Sequence, residues 1–163
     1  MVTKVLLTAA LVLHAVIASA QRPPTTFGGI PLWADSALRA AGLDQRFRLS
    51  STLNPAYEFG DFDRDGLVDV AVEVKDAGAL RCGVAITHRI DRSVHIVGAG
   101  DPVGNGTNQL ACGRWSVVAG RHRHGHVGFS PDLMYVTDAR AHSGWIVWDG
   151  HSYVWIQVDQ GGA

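Results

Sequence analysis

Apolar and polar positions alternate along the chain in a way that predicts one helix followed by several strands. Apolar residues recur on one helical face between Pro31 and Gly42, which predicts a short amphipathic helix there. Pro31 suits the first turn of that helix, and Gly42 suits the position just past its end. No period repeats three or more times, so the pattern does not indicate a repeat array or a complete propeller.

Beyond the helix, short apolar and β-branched stretches are separated by turn residues. The predicted strands cover residues 67–74, 80–88, 93–97, 116–119, 134–137, 145–148 and 151–158. Strands at intervals of about 8–15 residues with glycine-rich turns indicate a mainly β fold. We therefore expect an antiparallel sheet, either part of a β-propeller-like arrangement or a sandwich, with one short N-terminal helix.

The last two strands have the clearest turn signal. The dipeptide Asp149–Gly150 lies between two apolar runs, which is typical of a two-residue type I′ hairpin turn. Such a turn would pair Trp148 with His151 and Ile146 with Tyr153. Both faces of these strands are largely apolar, so we expect the hairpin to be central in the sheet or covered on both sides.

The chain begins with the pattern of a secretory signal peptide. Lys4 precedes an apolar run over residues 5–17, and Ala18–Ala20 supplies the small residues of a cleavage site. The run is shorter than the about 20 residues of a spanning helix. We therefore expect export to the periplasm or cell exterior, with residues 1–20 removed and no integral membrane segment.

Cleavage would leave 143 residues, of which 13 are basic and 15 are acidic. This near-neutral balance argues against a nucleic-acid binder, which normally shows a basic excess. Residues 21–30 read as a flexible leader, and residues 31–160 as a single domain. The sequence names no partner, although an envelope protein or a glycan would suit an exported chain.

Two cysteines, Cys82 and Cys112, remain after cleavage. An even pair in an oxidising compartment indicates a disulfide. The bridge would close a loop of about 30 residues and stabilise the domain by about 3–4 kcal/mol. The alternative is a pair of buried free thiols.

An aspartate-rich loop is the most explicit chemical feature of the chain. Asp61, Asp63 and Asp65 occupy positions one, three and five of this loop, Leu67 offers a carbonyl at position seven, and Asp69 follows at nine. Calcium takes six to eight oxygen ligands, and carboxylates at this spacing would repel one another without a cation. We therefore predict a Ca²⁺ site formed by these five residues. The alternative is an acidic turn cluster that needs no metal.

The loop differs from an EF-hand at its end. Gly66 stands at position six, where the backbone must turn, but Val72 replaces the bidentate glutamate at position twelve. A β pattern follows the loop instead of a helix. A further oxygen would come from water or from elsewhere in the chain, with Glu58 and Asp76 as candidates.

Residues 60–72 resemble the calcium-loop signature of FG-GAP and VCBS repeats, G-D-[FL]-[DN]-x-D-G-x-x-D-[ILV]-[AV]-[ILV]. The chain carries one copy, and it also looks like single-copy exported bacterial proteins that end in a Trp-Asp-Gly hairpin. The resemblance implies calcium on the aspartates and a bacterial exported protein. It implies no reaction.

Two other functions stay open at this point. His122, His124 and His126 would share one face of a strand and are suitable zinc ligands, which would fit a zinc-dependent hydrolase. Interleaved arginines and a glycine favour an exposed polar loop instead. The third possibility is an envelope inhibitor or adhesin. We expect a calcium-binding β module with a structural or binding role, and we do not expect an enzyme.

Overall fold

The computed structural model describes residues 29–50, 57–103, 107–118, 133–138 and 140–158. In chain order the elements are α1 (Leu32–Ala40), α2 (Leu43–Arg46), β1 (Phe47–Leu49), β2 (Tyr57–Gly60), β3 (Asp69–Asp76), β4 (Cys82–Thr87), β5 (Val94–Gly98), β6 (Leu110–Val118), β7 (Leu133–Asp138), β8 (Ser143–Trp148) and β9 (Tyr153–Gln157). The predicted mainly antiparallel β fold with a short N-terminal helix is confirmed. None of the helices in these ranges has the length and apolar character needed to cross a bilayer. The predicted signal peptide, residues 1–20, lies outside them.

Helix α1 ends where its sequence supplies an end signal. Gly42 adopts a φ of 71°, in the left-handed region that glycine enters without a Cβ penalty, and its amide donates to the Arg39 carbonyl at 2.8 Å. The inner face of the helix buries Ala34 and Leu38 completely. The single turn α2 follows and leads directly into β1. The sequence pattern predicted neither α2 nor the two short strands β1 and β2.

Strand β3 organises the first half of the sheet, in which every pairing is antiparallel. One edge of β3 pairs with β4 along its length, and the other edge is shared by β2 at its start and β1 at its end. The outer edge of β4 pairs with β5 and, through Cys82 opposite Leu110, with the start of β6. Strands β6 to β9 then continue in sequence order.

The alternation of side chains along β3 and β4 builds two apolar clusters. Val70, Val72 and Val74 lie on the face that packs against the buried side chains of α1 and α2. Ala71 and its neighbours on the opposite face contact residues of β6, β7 and β8. Because β3 is covered on both faces, apolar residues point to both sides of the sheet at Val70, Ala71 and Val72, and again at Val74.

Cys82 and Cys112 form the predicted disulfide, with their Cα atoms 5.3 Å apart. The disulfide lies at the point where the strand order passes from β4 to β6. A second link crosses nearby, because the buried Glu73 carboxylate accepts hydrogen bonds from the Gly113 amide at 2.9 Å and the Trp115 indole at 3.1 Å. These contacts join the two halves of the sheet at a point where the ladder itself has a single pair.

The predicted register of the closing hairpin is wrong. Trp148 pairs with Tyr153, and Ile146 pairs with Trp155, so the turn spans residues 149–152 and not two residues. The cause is the Asp149 side chain, whose Oδ1 accepts two amides within the turn, each at 2.8 Å. An aspartate that bonds ahead in this way stabilises the longer turn.

The expected central position of this hairpin is also wrong. Strand β9 ends the strand order, and within the described ranges it pairs only with β8. Ile156 is 51% exposed, whereas Tyr153 and Trp155 pack against the core. The apolar residues of β9 therefore cover the core from one side and leave the other side open to solvent.

Gly83 permits the close approach of β4 and β5, which generates a test of this packing. A Cβ at Gly83 would collide with the Val97 carbonyl and would lie 2.5 Å from the Ala99 nitrogen. We expect Gly83→Ala to lower the free energy of unfolding by about 1–3 kcal/mol in denaturant titrations. Gly78→Ala is the matched control, because its Cβ would lie at an ordinary 3.5 Å from Asp76 Oδ1. Equal stability of the two variants would contradict the register of β4 and β5.

Candidate metal centre

The aspartate loop lies between β2 and β3 and is closed at its base by the pair Gly60–Asp69. Gly66 has a φ of 84°, and Arg64 also lies in the left-handed region with a φ of 71°. These two positions turn the chain sharply inside the short connection. The loop therefore precedes a core strand, as its sequence indicated.

The first three aspartates of the loop direct their carboxylates toward the backbone of the loop. Asp63 Oδ1 accepts the Asp65 amide at 3.1 Å, and Asp61 Oδ2 accepts the Gly66 amide at 3.1 Å. Asp65 Oδ1 accepts the Leu67 amide at 2.7 Å. Each carboxylate thus fixes part of the turn, as in the Asx-turn alternative.

The same fold brings three carboxylates together. Asp61, Asp63 and Asp65 each offer one oxygen, and the three oxygens lie within 4.8 Å of one another. Unit charges at about 4 Å repel by about 1 kcal/mol in water and by more near a protein surface. Burial raises the pKa of Asp63, and the charges of Asp65 and Asp61 act in the same direction, whereas the Asp65 amide and His88 act against them. A hard, all-oxygen donor set of this kind suits calcium, so the residues present fit the predicted ion.

Asp69 belongs to a second group that includes Asp63, and it makes hydrogen bonds of its own to the backbone. Its side chain is fully buried, with Oδ2 accepting the Phe62 amide at 2.9 Å and Oδ1 accepting the Arg89 amide at 2.8 Å. Burial raises the pKa of Asp69 to about 7. The carboxylate therefore ties the start of the loop to the connection between β4 and β5. Its predicted role as a calcium ligand stays a prediction.

His88 is a residue of the site that the sequence pattern missed. Its Nδ1 lies 3.5 Å from Asp63 Oδ2, and one oxygen from each of Asp63 and Asp69 forms a second group with the ring within 4.8 Å. The register that pairs Val70 with Thr87 continues by one residue to place His88 opposite Asp69. A long-range pairing of this kind leaves no mark in local spacing.

His88 also connects the loop to the closing hairpin. Its Nε2 lies 2.7 Å from the Tyr153 hydroxyl, and the His88 ring contacts His95 and Trp148 at centroid distances of 4.6 and 4.8 Å. We refer to His88, His95, Trp148 and Tyr153 as the aromatic cluster. Burial raises the pKa of Tyr153 strongly, so its phenol stays protonated near neutral pH and is unsuited to act as a phenolate nucleophile.

Of the two acids suggested as extra calcium ligands, Asp76 is excluded by its position. It ends β3, about 23 Å along the strand from the loop. Its Oδ1 accepts the amides of Gly78 and Ala79, and its Oδ2 lies 3.7 Å from Arg81. Glu58, on β2, belongs to neither potential ligand group found in the described chain.

Two sets of sequence-predicted metal ligands remain, the three histidines and the Leu67 carbonyl. His122, His124 and His126 lie outside the described residues. Leu67 lies inside the loop, directly after Gly66, and is 45% exposed; its role as a carbonyl ligand stays a prediction.

The bracing contacts of Asp69 predict a defect that does not depend on metal. Asp69→Ala would leave the buried Phe62 amide and the partly buried Arg89 amide without their acceptor, at a cost of up to about 1–3 kcal/mol each. We expect a lower free energy of unfolding in EDTA as well as in calcium, measured by denaturant titration. Asp65→Ala is the comparison, because Asp65 is exposed and its loss in EDTA removes mainly repulsion and one exposed hydrogen bond. If Asp69→Ala were neutral in EDTA, the bracing role would be wrong.

Comparison of the chain with protein-family models, with curated proteins and with solved structures found no match. The assignment of a function therefore depends on the loop, its surroundings and the sequence features described above.

Proposed function

We propose that this chain is an exported calcium-binding β module with a structural or binding role. The ion would be held by the carboxylates of Asp61, Asp63 and Asp65, with the Leu67 carbonyl and Asp69 completing the protein ligands. The observation that carries the proposal is the convergence of three carboxylate oxygens within 4.8 Å in one short loop. When bound, calcium would neutralise the repulsion among these groups and fix the loop.

The resemblance of residues 60–72 to FG-GAP and VCBS calcium loops supports the same ion. In this chain the loop leads into a strand buried on both faces, which accords with a loop that shapes a β domain. The loop is present once, so we propose a single-copy module.

Export is proposed on two grounds. Residues 1–20 have the charged start, apolar run and small-residue end of a signal peptide. The Cys82–Cys112 disulfide suits an oxidising compartment such as the periplasm or cell exterior.

A structural role follows from the contacts that lead from the loop to the closing hairpin. Asp63 contacts His88, and His88 contacts Tyr153 on the closing hairpin. An ion that fixes Asp63 would thereby restrain both the β2–β3 connection and the aromatic cluster. Because calcium would bind the folded state in preference to the unfolded chain, it would stabilise the domain by mass action.

The test is the melting midpoint in excess calcium compared with EDTA. At a hundredfold excess over Kd we expect a stabilisation of about 2.7 kcal/mol, or an increase in Tm of roughly 5–10 °C. Asp63→Ala should abolish this increase while changing the midpoint in EDTA only slightly. Calorimetric titration should give one calcium ion per chain.

Asp44→Ala is the matched control, because Asp44 is an exposed acid on α2, away from the loop. It should retain the full calcium increment. An unchanged midpoint for the wild-type protein in calcium, or an Asp63→Ala variant that responds normally, would refute the proposal.

A further inference from the structure

A small open cleft lies on the outer side of the aspartate loop. It has a volume of about 260 Å³. The start of α1, strand β2, the loop and the β4–β5 connection supply its lining residues, which are Pro31, Trp33, Phe59, Leu67, Val68 and Arg89. Five of these six are apolar, and one is a cation.

The cation of the cleft has no acidic partner among the described residues. The Arg89 guanidinium lies 4.6 Å from the Trp33 ring centroid, and Arg92 lies 4.7 Å from the same centroid. Neither arginine forms an ion pair with an acid of the described chain. In addition, Arg89 Nη1 is shielded from solvent and has no hydrogen-bond acceptor in the part of the chain that the structure describes. An unpaired, desolvated donor on a cation is costly, so the site favours an anion.

The apolar side chains of the cleft are unusually exposed. Phe59 is 44% exposed, Leu67 45% and Val68 56%. Leu32 and Ile90 are next to the lining residues Trp33 and Arg89 in the chain, and they are 81% and 65% exposed. Exposed apolar side chains that lie next to one another often mark an interaction surface.

We propose that this cleft binds the carboxyl-terminal residue of a peptide or protein whose last side chain is apolar. The apolar side chain would lie against Phe59, Leu67 and Val68, and the terminal carboxylate would pair with Arg89. Pockets for drug-sized ligands measure about 300–1,000 Å³. At about 260 Å³ the cleft is sized for one side chain and not for a larger molecule.

Charge and surroundings select this ligand over the alternatives. A single lining cation, with no lysine, serine or threonine beside it, suits a carboxylate better than a phosphate, which usually engages several donors. A free small acid would fill the cleft but leave Leu32 and Ile90 uncovered. A peptide chain that continues past its last residue can cover them.

The inference rests on the proposed function in one respect. Leu67 and Val68 belong to the aspartate loop, whose carboxylates would repel an incoming carboxylate unless a cation balances them. The binding test is therefore run in excess calcium, and the two ligand forms are compared in the same buffer. If calcium does not raise the melting midpoint, the metal proposal is wrong. The difference in affinity between the acid and the amide peptide still tests the cleft.

The experiment measures fluorescence anisotropy of a labelled tetrapeptide, three glycines followed by phenylalanine, with either a free carboxyl or an amide terminus. We expect the free acid to bind the wild-type protein at least about tenfold more tightly than the amide, as for a charge-assisted hydrogen bond. Arg89→Gln should reduce acid binding to the level of the amide. Arg48→Gln is the matched control, since Arg48 is an exposed arginine on β1 and should bind as wild type.

Four outcomes would overturn the inference. Equal affinity for acid and amide would exclude carboxylate recognition, and no binding at about 1 mM peptide would exclude the site. An unaffected Arg89→Gln variant with a normal melting curve would exclude this arginine. If N-acetylphenylalanine bound as tightly as the tetrapeptide, the ligand would be a free small acid and not a chain terminus.

Discussion

The buried carboxylate of Asp69 connects the features on which this molecule depends. It accepts one amide from the start of the aspartate loop and one from the β4–β5 connection, and it has no exposed surface. Burial raises the pKa of Asp69 to about 7, and burial also raises the pKa of the neighbouring Asp63. Two partly desolvated carboxyls this close favour a proton or a cation between them. The two hydrogen bonds that Asp69 accepts fix the backbone at Phe62 in the loop and at Arg89 in the β4–β5 connection.

Much of the fold was accessible from the sequence because its central strands carry strong local patterns. Strand β3 follows a turn-forming loop and carries four β-branched or small apolar residues, Val70, Ala71, Val72 and Val74, so its existence was predicted with an error of two residues at each end. Strands β1 and β2 carry exposed residues such as Leu49 and Phe59, and their extended state depends on pairing with β3. No local propensity could show that pairing.

The candidate site divides in the same way between local and long-range information. Asp61, Asp63 and Asp65 lie within five residues, so their spacing alone predicted that they converge. His88 and Tyr153 reach the site only through the β3–β4 register and the closing hairpin. The hairpin prediction placed Tyr153 opposite Ile146, because it did not account for the Asp149 carboxylate that closes a longer turn. Because this one side-chain interaction was overlooked, the predicted partner of every residue in β9 was wrong.

The proposed metal centre and the cleft share one stretch of backbone. Between Asp65 and Asp69 the carboxylates form hydrogen bonds with main-chain amides, whereas Leu67 and Val68 expose their side chains to the cleft. A change in the φ and ψ angles of this segment must therefore move both sets of groups together. Two ligands that each favour one conformation of the same segment are thermodynamically coupled, and the coupling acts equally in both directions. An ion that orders the loop would thus also prepare the apolar wall of the cleft, and an occupant of the cleft would in turn raise the affinity for the ion.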